Sequence, residues 1–159
     1  MQNYSSTNWP SFDQITERDS YFGLGKTLLE FEGAVATFEE KCAQGVMDFD
    51  ELFKELEAAK CQMEFVWSTV NLMHLVSDKL DGDRFMLLHE RAEMAMMTRN
   101  DSQVVYDHML NMKAAHQEKP FLKPFQEQMV DRYITEHKMQ GYGLPGMHTN
   151  SEQNPIYLS

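Results

Sequence analysis

The sequence predicts an all-α fold, a single domain of about five helices in an antiparallel helical bundle, and three observations carry that expectation. Apolar residues recur at three- and four-residue steps, the spacing that returns a side chain to the same face of an α-helix. Only five Pro occur in 159 residues, so few positions forbid a helix interior. Thirteen Met and ten Phe favour adaptable packing between helices over a strand-rich fold. With 42% apolar residues, a chain of this length closes a real core.

Residues 1–16 are polar, with Trp9, Pro10, Phe12 and Ile15 as the only anchors, and read as an extended N-terminal arm before a helical domain over 17–140. From about Tyr21 to Ala43, Leu28, Phe31, Val35 and Phe38 make an amphipathic stripe, and Gly45 stands where a C-terminal cap belongs. Asp48 followed by Glu51 predicts a capping box for a second helix, whose apolar face runs through Phe49, Leu52, Leu56, Met63, Val66, Trp67, Val70 and Met73. The polar run from Ser77 breaks that pattern near Gly82. Phe85, Leu88, Ala92, Ala95 and Met96 then form a third stripe that Asn100 and Asp101 end. Val104, Val105, Met109 and Met112 mark a fourth helix, closed by the turn around Pro120 and Pro124. Met129, Tyr133, Ile134 and His137 mark a fifth, and residues 141–159 read as an irregular tail. No internal repeat is present.

A net charge of −11 repels phosphate backbones and anionic membrane surfaces, so nucleic acid is an unfavourable partner and a basic peptide or basic protein face a favourable one. No apolar run approaches the roughly 18 residues a spanning helix needs, and the N-terminal residues lack the charged and apolar regions of a signal peptide. Cys42 and Cys61, each inside a predicted helix, read as free thiols, with Cys61 expected in the core. These features suit a reducing compartment, the cytoplasm or an organellar matrix or stroma.

The segment Ser20–Thr27, SYFGLGKT, ends like a phosphate-binding loop, but Ser20 occupies the position of the first glycine and no strand precedes it. A helix start, with glycines easing the chain into it, is the expectation there. His89-Glu90-Arg91-Ala92-Glu93 approaches the zinc-peptidase helix motif, yet Glu93 replaces the second histidine, and a charged surface is expected in place of a metal site. His74, His108, His116, His137 and His148 are scattered and read as surface or capping residues. Acidic clusters at Asp50, Glu51, Glu55 and Glu57 and at Glu30, Glu32, Glu39 and Glu40 read as solvated helix faces able to receive a basic partner. No catalytic residue, cofactor or metal ligand is expected. Phe65, Trp67, Phe85, Met94, Met96 and Met97 exceed what one stripe per helix can hide, and predict an exposed apolar interface for a protein partner.

Three stretches carry a family resemblance: Trp9-Pro10-Ser11-Phe12-Asp13-Gln14-Ile15; Phe49 to Glu57 continuing through Val66-Trp67-Ser68-Thr69-Val70-Asn71-Leu72-Met73-His74-Leu75-Val76-Ser77; and Gln140-Gly141-Tyr142-Gly143-Leu144-Pro145. Together they resemble the N-terminal helical region of the thimet oligopeptidase and oligopeptidase A zinc peptidases, over about residues 9–146. The resemblance implies a lobe that walls a peptide channel, without the zinc ligands or general base of the catalytic part. It implies a non-catalytic, protein-binding or structural accessory subunit of a larger assembly. The alternative is an N-terminal fragment or split half of a zinc oligopeptidase that degrades short peptides when complemented by the catalytic part.

Overall fold

A computed structural model describes residues 14–76, 80, 82–98 and 101–144, the side chains of 96 and 98 excepted. Five helices follow one another: α1 (Glu17–Ala43), α2 (Phe49–Val76), α3 (Gly82–Thr98), α4 (Gln103–Glu118) and α5 (Pro124–Met139), with no strand among the described residues. The expected all-α bundle is what forms. The arm before residue 14 and the tail after residue 144 lie outside the described residues, with Trp9, Pro10, Phe12 and His148 among them.

The ends of each helix are set by local chemistry. Thr16 caps α1 reciprocally: its hydroxyl oxygen accepts the Asp19 amide at 3.2 Å, and the Asp19 carboxylate accepts the Thr16 amide at 3.0 Å. The helix therefore begins at Glu17, a turn before the apolar stripe announces it. At its other end Gly45 takes φ +76°, the Gly45 amide donates to Cys42 O at 3.0 Å, and the Val46 amide donates to Lys41 O at 3.1 Å. That is a Schellman turn, and only glycine enters its left-handed position without strain. Asp48 Oδ1 accepts the Glu51 amide at 2.8 Å and starts α2. In α4 the Ser102 hydroxyl caps Val105 and donates to Glu39 at 2.6 Å, which also fastens the helix to α1. Pro124 opens α5, where the Lys123 amide donates to Gln126 Oε1.

α1 and α2 form a long antiparallel hairpin, each helix about 40 Å from end to end at 1.5 Å per residue. Ser20 meets Met73, Gly23 lies against Val66, Phe38 meets Phe53, and Lys41 pairs with Glu55. Against the half formed by the end of α1 and the start of α2 sits a second antiparallel hairpin, α4 and α5, joined by Lys113 with Asp131 and by the rings of Tyr106 and His137. The principal core lies here. Phe38, Phe53 and Tyr133 contact one another at centroid distances of 5.1 to 5.8 Å, with Leu52, Leu56, Met109, Met112 and Val130 around them.

α3 lies on the other half, antiparallel to α2. Its Ala92 and Ala95 enter the principal core, Arg84 and Arg91 pair with Glu17 and Glu32 of α1, and Phe85 reaches α2, where it joins a smaller cluster with Val70, Met73 and Leu80. Ile15 packs on that cluster, so this one anchor of the expected arm is seated in the fold.

Several side chains depart from the sequence expectation. Cys61 is exposed, because the buried side of α2 runs through Leu56, Met63 and Val70 and residue 61 falls about half a turn from it. His108 and His137 are buried: His108 Nε2 meets Val46 O at 2.9 Å, and His137 Nδ1 meets Tyr133 O at 2.7 Å. Each occupies the core stripe of its helix and gives a ring nitrogen to the backbone, the condition under which an imidazole is tolerated inside. Gly25-Lys26-Thr27 lies within α1, where Thr27 donates to Gly23 O and Lys26 pairs with Glu30, so its glycines do not lead the chain into the helix.

Candidate functional site

Every helix exposes some large apolar side chains, and among the described residues α2 and α3 carry eight of the sixteen. Along the second half of α2, Phe65 (53% exposed), Leu72, Leu75 and Val76 face solvent, and along α3 so do Met86, Leu87, Met94 (69%) and Met97 (62%). α3 explains why. Among its described side chains, it buries Phe85, Ala92 and Ala95 and half-buries Leu88 against the core, while Met86, Leu87, Met94 and Met97 lie off that stripe.

Of the residues expected to form an interface, Phe65, Met94 and Met97 are exposed. Phe85 is not: at 5% exposure it stacks on His74 at 3.9 Å and lies 5.6 Å from the Trp67 ring. Trp67 is half-buried, packs on both core clusters, and meets His89 edge-on at 5.1 Å. These two aromatics hold α3 to α2 beneath the surface and cannot themselves supply an open face. The Met96 side chain lies outside the described residues. Met86, Leu87, Leu72 and Leu75 are exposed alike, although the sequence reading did not single them out. Their signal was present in the sequence as large apolar residues lying off the stripes that contain Phe85 and Val70.

The direction of these residues follows from helix geometry. Phe85 touches α2 through His74, so the next position on each helix, Met86 on α3 and Leu75 on α2, turns about 100° away from the contact. α1 lies on the opposite side of both helices: Met73 and Val66 turn toward Ser20 and Gly23, while Arg84 and Arg91 reach Glu17 and Glu32. Leu75, Met86 and Met97 therefore line one seam on the side away from α1. The same count of 100° per residue places Glu64, Glu90 and Glu93 along it. Lys60 pairs with Glu64 at 3.8 Å and His89 with Glu93 at 3.6 Å.

The other polar features are explained by packing. Lys41 Nζ donates to the Glu55 carboxylate, Gln126 Nε2 to Asp50, and Gln44 Nε2 to Glu40, so part of each acidic cluster is engaged within the fold. His116 Nδ1 accepts the Phe121 and Leu122 amides, both at 3.0 Å, and closes the α4–α5 turn as a cap. Burial, with Glu39 adding to it, pushes the Cys42 thiol up to about 12, which makes it an inert core residue. Burial, and then the bond to Asp101, raises Tyr142 above the ordinary phenol range. A cleft of about 400 Å³ between Asp48–Asp50 and Phe121–Lys123 is lined by both signs of charge and by no cluster of reactive groups. Among the described residues no three His, Cys, Asp or Glu side chains converge on a metal position, and no helix is long and apolar enough to cross a membrane.

Fold and surface together define an all-helical protein that exposes apolar side chains on α2 and α3 beside acidic ones. No known family, curated protein or solved structure matches the chain.

Proposed function

We propose that this chain is a non-catalytic helical module that binds another protein through the outer face of α2 and α3, as an accessory subunit of a larger assembly. The observation that supports it is that neighbouring helices both expose large apolar side chains, Leu72, Leu75 and Val76 on α2 and Met86, Leu87, Met94 and Met97 on α3. Singly scattered apolar residues need no partner, whereas neighbouring helices that both expose such stripes lower their free energy when something covers them. The oligopeptidase A resemblance belongs to the same proposal: Val66–Val76, one of the stretches that suggested it, is the part of α2 that bears this face.

Affinity purification of the tagged chain from its native source tests the reading, with the doubly substituted Leu87→Glu, Met94→Glu protein run beside it. Both positions are exposed, so the substitutions leave the core intact. The expected result is one protein recovered in stoichiometric amount with the natural chain and lost with the variant. A natural chain that emerges as a lone monomer by light scattering, or a partner retained equally by the variant, overturns it. A recovered partner carrying a zinc-peptidase helix would assign the split-enzyme form of the proposal.

A further inference from the structure

The seam between α2 and α3 combines two properties that select its occupant. Leu75, Met86 and Met97 present flexible apolar side chains, and Glu64, Glu90 and Glu93 lie among them, on a protein of net charge −11. Methionine has three rotatable bonds and a polarisable sulfur, so a Met-lined surface remoulds itself around apolar anchors of varied shape. The carboxylates favour cations at the edges of the same contact. α3 gives the seam a length of about 25 Å at 1.5 Å per residue, which matches a helix of roughly five turns. A second copy of this chain brings the same carboxylates to the same place, and two surfaces of one sign repel.

We infer that the α2–α3 seam receives a cationic amphipathic helix, its apolar stripe seated on Leu75, Met86 and Met97 and its Lys or Arg residues beside Glu64, Glu90 and Glu93. The inference rests on the protein-binding reading above and names the chemistry of the partner. A helix in such a groove is read through anchors at three- and four-residue steps, so periodicity, and not charge alone, decides binding. Exposed polar edges contribute through long-range attraction that salt screens, while the apolar anchors set the lifetime of the complex.

The test uses a fluorescent Leu/Lys peptide of about 18 residues with helical periodicity, a scrambled peptide of the same composition, and a Leu/Glu peptide of the same periodicity. Anisotropy titration of the whole chain is expected to show saturable binding of the periodic cationic peptide alone, weakening as salt is raised. Met86→Ser with Met97→Ser, which leaves charge unchanged, is expected to weaken it about tenfold or more, the loss expected when two apolar anchors go. Glu64→Gln, Glu90→Gln and Glu93→Gln together keep shape and are expected to remove most of the salt dependence. Met139→Ser, on the exposed end of α5, is expected to change nothing. Equal binding of the scrambled peptide, or equal loss from Met139→Ser, overturns the inference by showing attraction to the general acidic surface. Concentration-dependent dimerisation abolished by the two Met substitutions overturns it in favour of a second copy. A native partner lost on Leu87→Glu, Met94→Glu while no peptide distinguishes periodic from scrambled sinks this inference and leaves the protein-binding proposal standing. Peptide binding as described with no native partner does the reverse.

Discussion

Glycine serves opposite ends at two positions, one just past the end of α1 and one inside it. At Gly45 the backbone is left-handed, φ +76°, so Gly45→Ala puts a Cβ into a conformation that costs an L-residue about 1–2 kcal/mol. Gly33 lies in the exposed interior of the helix, and a Cβ there meets nothing within 4 Å. Gly33→Ala is expected to stabilise by roughly 0.5–1 kcal/mol, chiefly by restricting the unfolded chain. Urea titrations of the two variants should move the midpoint in opposite directions. Shifts of the same sign would contradict the turn assigned to Gly45. His108 gives a pH prediction. Burial lowers its proton affinity from the ordinary value of 6.5, an effect its contact with Val46 O only partly offsets. The folded state thus holds the neutral ring while the unfolded chain takes up a proton near 6.5, so the unfolded form binds more protons in that range. The stability His108 contributes is full above 6.5 and is lost as pH falls from there through the lower folded value. His108→Gln is expected to flatten the fall in urea midpoint between neutral and mildly acid pH. The residue scale was the least legible in the sequence. His137 and Cys61 show why: burial depends on where a position falls around its helix and on what packs there, and a polar residue type alone points the wrong way for one and an apolar type for the other.

Helices were far more legible, because stripes and caps are local. Leu28, Phe31, Val35 and Phe38 all enter the core as their spacing requires, and the cap at Asp48 forms where it was expected. Asp48→Ala removes the acceptor of the Glu51 amide and leaves that donor to water, at a cost of about 1 kcal/mol. Thermal denaturation checks this, with Asp48→Asn recovering most of the loss; an unshifted midpoint for Asp48→Ala would show that the cap carries no stability. The start of α1 was placed late because Glu17, Arg18 and Asp19 carry no apolar stripe. The signal that marks it, Thr16 followed three residues later by Asp19, is polar and short, yet it satisfies two otherwise unpaired amides. For the candidate site, the exposure of Phe65, Met94 and Met97 follows from their lying off the stripes, whereas Trp67 and Phe85 are withdrawn by a stack between helices. That contact is tertiary, so no period within either helix announces it.

The two halves of the molecule are held unequally, and this ties the fold to its proposed use. The half with α4 and α5 is centred on Phe38, Phe53 and Tyr133, which contact one another and are sealed by Leu and Met side chains. α3, by contrast, is held among its described side chains by Phe85 between His74 and Trp67, by a half-buried Leu88 and by two alanines in the principal core. Exposed ion pairs, Arg84 with Glu17 and Arg91 with Glu32, add little at a solvated surface. Elements with few buried apolar contacts open first, so α3 and the end of α2 should exchange their amides by local opening while α1, α4 and α5 exchange only on wider unfolding. Phe85→Ala removes the anchor at a cost of about 3–5 kcal/mol for a fully packed ring. Because the loss falls on the weaker half, the expected outcome in hydrogen exchange is collapse of protection over residues 82–98 with the α4–α5 amides still protected. Uniform loss over all five helices would mean that the two clusters unfold as one. A partner seated on Leu75, Met86 and Met97 adds to α3 the apolar contacts it lacks within the chain, so binding should raise protection there most of all, and protection confined to α4 and α5 on adding the cationic peptide would place the contact elsewhere.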